Sequence, residues 1–217
     1  MPPVAWKAYN DASEKYFHVY EGLQFSRMHR AFSRFLPPIG SACLDVGAGS
    51  GRDAVALARR GYKVTAVEPS IGMRRLAEKY HSNSNITWIG DALPRLAKVL
   101  AMSQRFRFIL LSAVWMHIPP HQRVQSLKSL NQLLEVDGCI AMTLRLGTPS
   151  EERVMFAISV EELLAHALQA GLVPLYVSRR TRDSLRREDI EWRKVVLCKT
   201  EAYYWLAKRN PVVSFGS

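Results

Sequence analysis

The run Ala42-Cys-Leu-Asp-Val46 is short and apolar, and it passes directly into Gly47-Ala-Gly-Ser-Gly51. Glycines at alternate positions let a chain leaving a strand turn tightly with its bare backbone against a ligand. An alanine-rich stretch, residues 53–60, follows and is stopped by Gly61, which reads as a helix with its C-terminal cap. A strand, a glycine turn and a helix in this order commit the chain to a parallel sheet, because parallel neighbours need such a crossover.

The rest of the sequence keeps that alternation. Apolar runs at 62–67, 86–89 and 106–114 read as strands. Between them, Ser70 can cap a helix to about Tyr80, Ser82-Asn-Ser-Asn85 is a loop, and 96–102 is part of a helix. Pro119-Pro120 opens a longer helix with Val124, Leu127, Leu130, Leu133 and Leu134 on one stripe. Asp137-Gly138 turns the chain into a strand over 139–146, and Ser159-Val-Glu-Glu162 is a capping box for a helix that ends at Gly171. The last two strands, 172–178 and 192–198, are joined by a polar loop without a helix, which predicts an antiparallel hairpin at one edge. The expected organisation is an N-terminal helical cap over 1–38, an α/β ligand-binding domain over 39–200 and a tail over 201–217. The cap holds one aromatic helix (Tyr9, Tyr16, Phe17, Tyr20, Phe25, Phe32, Phe35), whose rings serve either as its core face or as a lid over a ligand.

The ligand can be narrowed from the residues around the glycines. A dinucleotide site would place its third glycine at position 52, where this chain has Arg52. A nucleoside triphosphatase would end its loop in Gly-Lys-Ser/Thr, which is missing. Asp45, two residues before the first glycine, would repel phosphates and suits a ligand with an ammonium group. Glu68 ends the second strand, where a carboxylate can accept both hydroxyls of a ribose. Asp91 follows the third strand, where a carboxylate can accept from an adenine amino group.

Together these segments resemble the class I S-adenosylmethionine (SAM) dependent methyltransferase family. Leu44 to Arg52 is similar to its first motif, Val67-Glu-Pro-Ser70 to its second and Gly90-Asp-Ala92 to its third. Residues 106–117 resemble its fourth strand and the loop behind it, and Leu134-Glu-Val-Asp-Gly138 the entry to its fifth. The resemblance spans about residues 40–200. It implies a Rossmann-like, seven-stranded, mostly parallel sheet in the order 3-2-1-4-5-7-6 with strand seven antiparallel, and S-adenosyl-L-methionine as cofactor. It also implies that Asp45, Gly47, Ala48, Gly49 and Arg52 hold the methionine part, and that Glu68 and Pro69 hold the ribose. Met73, Asp91 and Ala92 would meet the adenine end, and Ser112 to His117, Trp115 included, would line the methyl-transfer cleft.

Methyl transfer from a sulfonium needs mainly alignment, so acceptor residues leave a fainter trace than donor residues. His117 is the candidate base or acceptor contact; the other reading has it bond the loop and shape the cofactor pocket. Arg145 and Arg153 either meet an anionic acceptor or are plain surface residues. Tyr16 and Tyr20 could cover that pocket. The Asn/Asp-Pro-Pro-aromatic motif of enzymes that methylate exocyclic amines of DNA bases is missing, since Ser112-Ala-Val-Trp115 stands there. The expectation is methylation of a small-molecule acceptor, with an anion as one option. The alternatives are an RNA or protein methyltransferase using a basic surface, and a SAM-binding sensor or subunit without activity.

The formal charge of +11 over 217 residues favours anionic partners. Its densest piece, residues 179–189, is diluted by acids and reads either as a solvated loop or as a nucleic-acid footprint. Cys43, Cys139 and Cys198 share no metal-ligand spacing and read as buried thiols. The sequence shows neither an apolar run of membrane-spanning length nor a secretory signal, so a cytoplasmic protein is expected.

Overall fold

The computed structural model describes residues 4–183 and 189–203. Eight strands form one sheet: β1 (Ala42–Val46), β2 (Lys63–Val67), β3 (Ile86–Ile89), β4 (Phe106–Ser112), β5 (Leu134–Gly147), β6 (Leu172–Val177), β7 (Thr181–Arg182) and β8 (Ile190–Lys199). The order is β3-β2-β1-β4-β5-β8-β6, with β7 paired to β8. The first five strands are parallel, and β8 runs antiparallel to both β5 and β6. β8 therefore takes the place expected for a seventh strand. The two-residue β7 is an addition, inside the stretch expected to be a plain polar loop.

Strand residues alternate between two apolar clusters, one on each face of the sheet. Leu44, Ile109, Leu111 and Ile140 belong to one, which is covered by the helices α6 (Ala97–Ala101), α7 (Arg123–Leu133) and α8 (Val160–Gln169). Cys43, Phe108, Leu110 and Ala141 belong to the other, which is covered by α4 (Arg52–Ala58) and a 3-10 helix, Arg30–Phe35, through Phe32 and Phe35. Both clusters are nearly free of solvent contact, which at about 25 cal/mol per Å² makes them the main stabilising term.

The N-terminal segment is not one helix. It is α1 (Lys7–Asp11), α2 (Ser13–Glu21), α3 (Phe25–Met28) and the 3-10 turn. The backbone leaves helical geometry at Ala12 (φ −126°, ψ 38°), and the chain turns again after Glu21. α1 and α2 lie across α5 (Ile71–Tyr80), where Gly72 permits the approach. A Cβ at Gly72 would sit 2.7 Å from Ser13 Oγ, and the Gly72 N–H donates to Asn10 Oδ1 at 2.9 Å. Of the expected features, residues 184–188 of the basic piece, and Tyr204, Trp205 and Pro211 of the tail, lie outside the described residues. No helix among the described residues is long and apolar enough to cross a membrane.

Candidate active site

The chain turns from β1 to one side of the sheet, through β2 and β3, and later to the other side, through β4 and β5. The crevice at the carboxyl ends of β1 and β4 is the point where such sheets bind ligands. A cavity of about 770 Å³ opens there, within the size range of ligand sites.

The glycine turn forms its floor. The Gly47 and Ala48 amides donate to Val67 O at 2.8 and 2.9 Å, which ties the turn to the end of β2. Gly49 has φ 57°, and a Cβ there would make only ordinary contacts with Met73 Cε and Tyr20 Cδ2 at 3.9 Å, whereas a Cβ at Gly51 (φ 86°) would lie 2.7 Å from the Trp88 ring. The two glycines serve different ends: Gly49 bares backbone to the cavity, and Gly51 lets β3 close behind it. Glu68 stands beside them, with Oε2 accepting from the Gly49 amide and Oε1 from the Ser70 amide, both at 2.8 Å. Burial pushes its carboxyl up to about 6, against the pull of those two amides.

Asp45 is 1% exposed and lies behind the cavity wall rather than lining it, and its hydrogen-bonding partner is the Ala54 backbone amide. Burial and then the Asp53 carboxylate hold it well above the usual carboxylate range. Asp53 has the opposite fate. Burial would raise it, but His29 and Arg52 outweigh burial and hold it below the usual range. His29 Nε2 is 3.0 Å from Asp53 Oδ2, and Arg52 donates Nε and Nη2 to the two Asp53 oxygens at 2.7 Å each. A buried carboxyl with so little hydrogen bonding beside a second carboxylate is costly.

The adenine-side candidates are built differently from expectation. Asp91 lines the cavity, but it also caps α6: Oδ2 accepts from the Lys98 and Val99 amides at 2.8 and 3.2 Å, and Oδ1 from the Ala92 amide at 2.8 Å. Of the roughly four acceptor sites of a carboxylate, one on Oδ1 remains for a ligand. Pro69, Met73 and Ala92 line the same end, and Ser112 lines the middle, 3.5 Å from His29 Nε2.

The opposite wall is aromatic and basic. His117 Nδ1 lies 2.7 Å from Val154 O, and Nε2 lies 2.9 Å from the Tyr9 hydroxyl. A carbonyl can only accept, so Nδ1 carries the hydrogen and Nε2 accepts the Tyr9 proton. Burial lowers the imidazole to about 4, so the ring is neutral at physiological pH. Arg153 donates Nη1 to the Tyr9 oxygen at 3.2 Å, and Tyr20 hydrogen-bonds the same oxygen. Arg145, 7% exposed, donates Nη1 to Thr148 O and also lines the cavity. Tyr20 lines the cavity, while Tyr16 backs it from behind with its ring 6.0 Å from that of Tyr20.

Trp115 is the expected site residue that the structure removes. It is fully buried in the sheet core and does not reach the cavity, although Val114, Met116 and His117 do. Trp115 to His117 is a 3-10 turn, where residues two apart point in different directions, so one side chain faces the core when the other faces the crevice. Sequence reasoning also passed over Tyr9, His29 and Asp53. Tyr9 had a signal, since 9, 16 and 20 share a helical face. His29 and Asp53 had none, because they meet only in the folded chain.

Residues 43–138 match the family described as a methyltransferase domain. No curated protein matches the chain. Solved structures match at low identity and share the fold. A cyclopropane synthase, MmaA2 of Mycobacterium tuberculosis, has TM-score 0.70 and 11% identity, over 89% of this chain and 96% of that one. Phosphoethanolamine N-methyltransferase 2 of Haemonchus contortus, solved with phosphomonomethylethanolamine and S-adenosylhomocysteine, has TM-score 0.70 and 14% identity, over 91% and 60%. The 1,6-didemethyltoxoflavin-N1-methyltransferase of Burkholderia thailandensis has TM-score 0.62 and 17% identity, over 89% and 88%. Over residues 43–138 the chain thus resembles a methyltransferase domain, and it shares its fold with these solved structures.

Proposed function

We propose that the chain is a SAM-dependent methyltransferase acting on a small anionic acceptor, seated between the donor and the wall formed by Tyr9, His117, Arg145 and Arg153. The observation that carries this reading is the buried Tyr9–His117 pair, with His117 locked as a neutral acceptor and Arg153 on the tyrosine oxygen. On the donor side, Asp45 receives the SAM ammonium and the Gly47–Gly49 backbone its methionine chain. Arg52, held by Asp53, faces the carboxylate end. Glu68 takes the ribose hydroxyls, and Asp91, Ala92, Pro69 and Met73 take the adenine.

Bound SAM supplies a methyl group on a sulfonium, so the chain's contribution is chiefly alignment. Tyr9 and Tyr20 cover the acceptor and exclude water, which makes residues 1–38 the lid of a domain over 39–200. Arg145 and Arg153 fix the acceptor's negative group. An acceptor that carries a proton passes it to the Tyr9 oxygen as Tyr9 gives its own to His117 Nε2. The phosphate-bearing and heterocyclic molecules named for the Haemonchus and Burkholderia enzymes are of the size and kind that suit this cavity.

The test is a transfer assay with labelled SAM over a panel of small carboxylates, phosphates and amines. Against the acceptor so found, an Arg145→Gln, Arg153→Gln variant should raise KM about ten-fold or more while SAM affinity holds. Equal KM in both proteins would remove the anionic acceptor from the reading.

A further inference from the structure

The charge of +11 exceeds what Arg52, Arg145 and Arg153 bring to the cavity, and part of the remainder is gathered in one place. Between residues 22 and 63 the only acids are Asp45 and Asp53, and both are buried. The same segment exposes Arg27, Arg30, Arg34, Arg59, Arg60 and Lys63, none of them in an ion pair among the described residues. Two separate stretches of chain are brought together to do this. Arg27, Arg30 and Arg34 run along α3 and the 3-10 turn, and Arg59, Arg60 and Lys63 stand at the end of α4 and the start of β2. The stretches touch, since the Arg60 guanidinium lies 4.6 Å from the Phe25 ring centre and the Gly40 amide donates to Gly61 O.

We propose that this stripe binds the sugar-phosphate backbone of a single-stranded nucleic acid. The surface extends from Arg27, next to the cavity-lining Met28, to Lys63 at the amino end of β2, and Arg34 carries it across to Tyr176 of β6, so it offers an extended polyanion several separate contacts. Five of its six cations are arginines, whose planar forks pair with phosphate oxygens. Two are already in place before any partner arrives. Arg60 rests on Phe25 and donates to Ala56 O, and Arg34 lies 4.8 and 4.6 Å from the ring centres of Phe35 and Tyr176. Cations held on rings lose less freedom on binding than free side chains. A backbone laid here would end at the rim of the methyl-transfer cavity. The inference goes beyond the small-molecule reading and does not depend on it.

The probe is a short fluorescein-labelled oligouridylate, followed by anisotropy over about 50 to 200 mM salt. Six phosphate contacts give a log K against log salt slope of about −4, at about 0.7 per contact for single strands. The Arg27→Glu, Arg30→Glu variant should bind about ten-fold more weakly or worse and flatten the slope by more than one. A control with the same change of charge on the other sheet face, Arg95→Glu with Lys128→Glu, should keep nearly full affinity. Should the first variant not fold, Arg30→Gln with Arg59→Gln makes the same comparison at solvent-exposed positions. Equal losses in stripe and control variants would reduce the effect to net charge and overturn the proposal. So would failure of oligouridylate to bind while phosphatidylserine vesicles do. Small-acceptor transfer is measured on the same proteins and should be unchanged, which separates failure of the stripe from failure of the cavity.

Discussion

At the scale of the residue, Glu68 lines the pocket and Asp45 lies buried behind it, and the fold treats the two carboxyls differently. Glu68 accepts from two amides, whereas Asp45 has only the Ala54 amide. A buried carboxyl so weakly paired, close to Asp53, opposes folding, and in the proposed donor site it serves binding. The two effects separate in Asp45→Asn. Removing the repulsion should raise the melting temperature of the ligand-free protein by about 2–4 °C, the equivalent of about 1 kcal/mol in a chain of this size. SAM affinity, measured by calorimetry, should fall about ten-fold in the same variant. A fall in both quantities would make Asp45 a structural acid and remove it from the donor site.

Among the elements, the central strands and the helices between them were legible because each carries its own start and stop. Ser70 accepts from the Met73 amide and Ser159 from the Glu162 amide, the caps expected of both. The start of β5 was not legible. Asp137-Gly138 signals a turn, yet the strand already runs from Leu134. A Cβ at Gly138 would meet Arg107 O at 2.9 Å and Phe106 O at 3.0 Å, so this glycine admits the close backbone of β4 where the register slips between Phe106 and Phe108. A glycine for close packing and a glycine for a turn look the same in a sequence. The breaks in the N-terminal segment were hidden for a related reason, as Ala12 is no helix breaker by type. What holds that segment is its seat on α5, and Gly72→Ala tests it. The added methyl meets Ser13 Oγ and Cβ, so α1 and α2 should lift. Cleavage within residues 4–28 by a trace of protease should speed up at least about ten-fold, and turnover should drop in proportion. The melting of the sheet should move by less than about 3 °C, because the two apolar clusters contain nothing from α1 or α2. Unchanged cleavage would show that the segment is held elsewhere.

For the whole molecule, the site leaves a mark on stability against pH. His117 is held at about 4 in the fold and returns to about 6.5 when the chain opens. Between those values the unfolded chain holds the extra proton, so stability rises with pH and is lost again as pH falls towards 4. The term is about 3 kcal/mol. Glu68, held at about 6 against an ordinary 4.5, acts in reverse: the folded chain keeps the proton there, and stability declines as pH rises through that window. Asp45, also raised, acts in the same direction as Glu68, so the imidazole's share is read by difference: in urea unfolding from pH 4 to 6.5, His117→Phe should lower the slope of stability against pH below that of the parent protein. An unchanged slope would place the titrating group elsewhere. The same histidine also fixes an order of assembly. Tyr9 and its partner are 108 positions apart, and Val154 lies further on. On the ribosome, the segment around Tyr9 must therefore wait until Val154 has emerged. Its docking closes a long loop whose entropic cost grows only with the logarithm of length. Every residue proposed to hold the donor, 45 to 92, is made before His117. A nascent chain could thus hold its methyl donor before it has anywhere to send the methyl group.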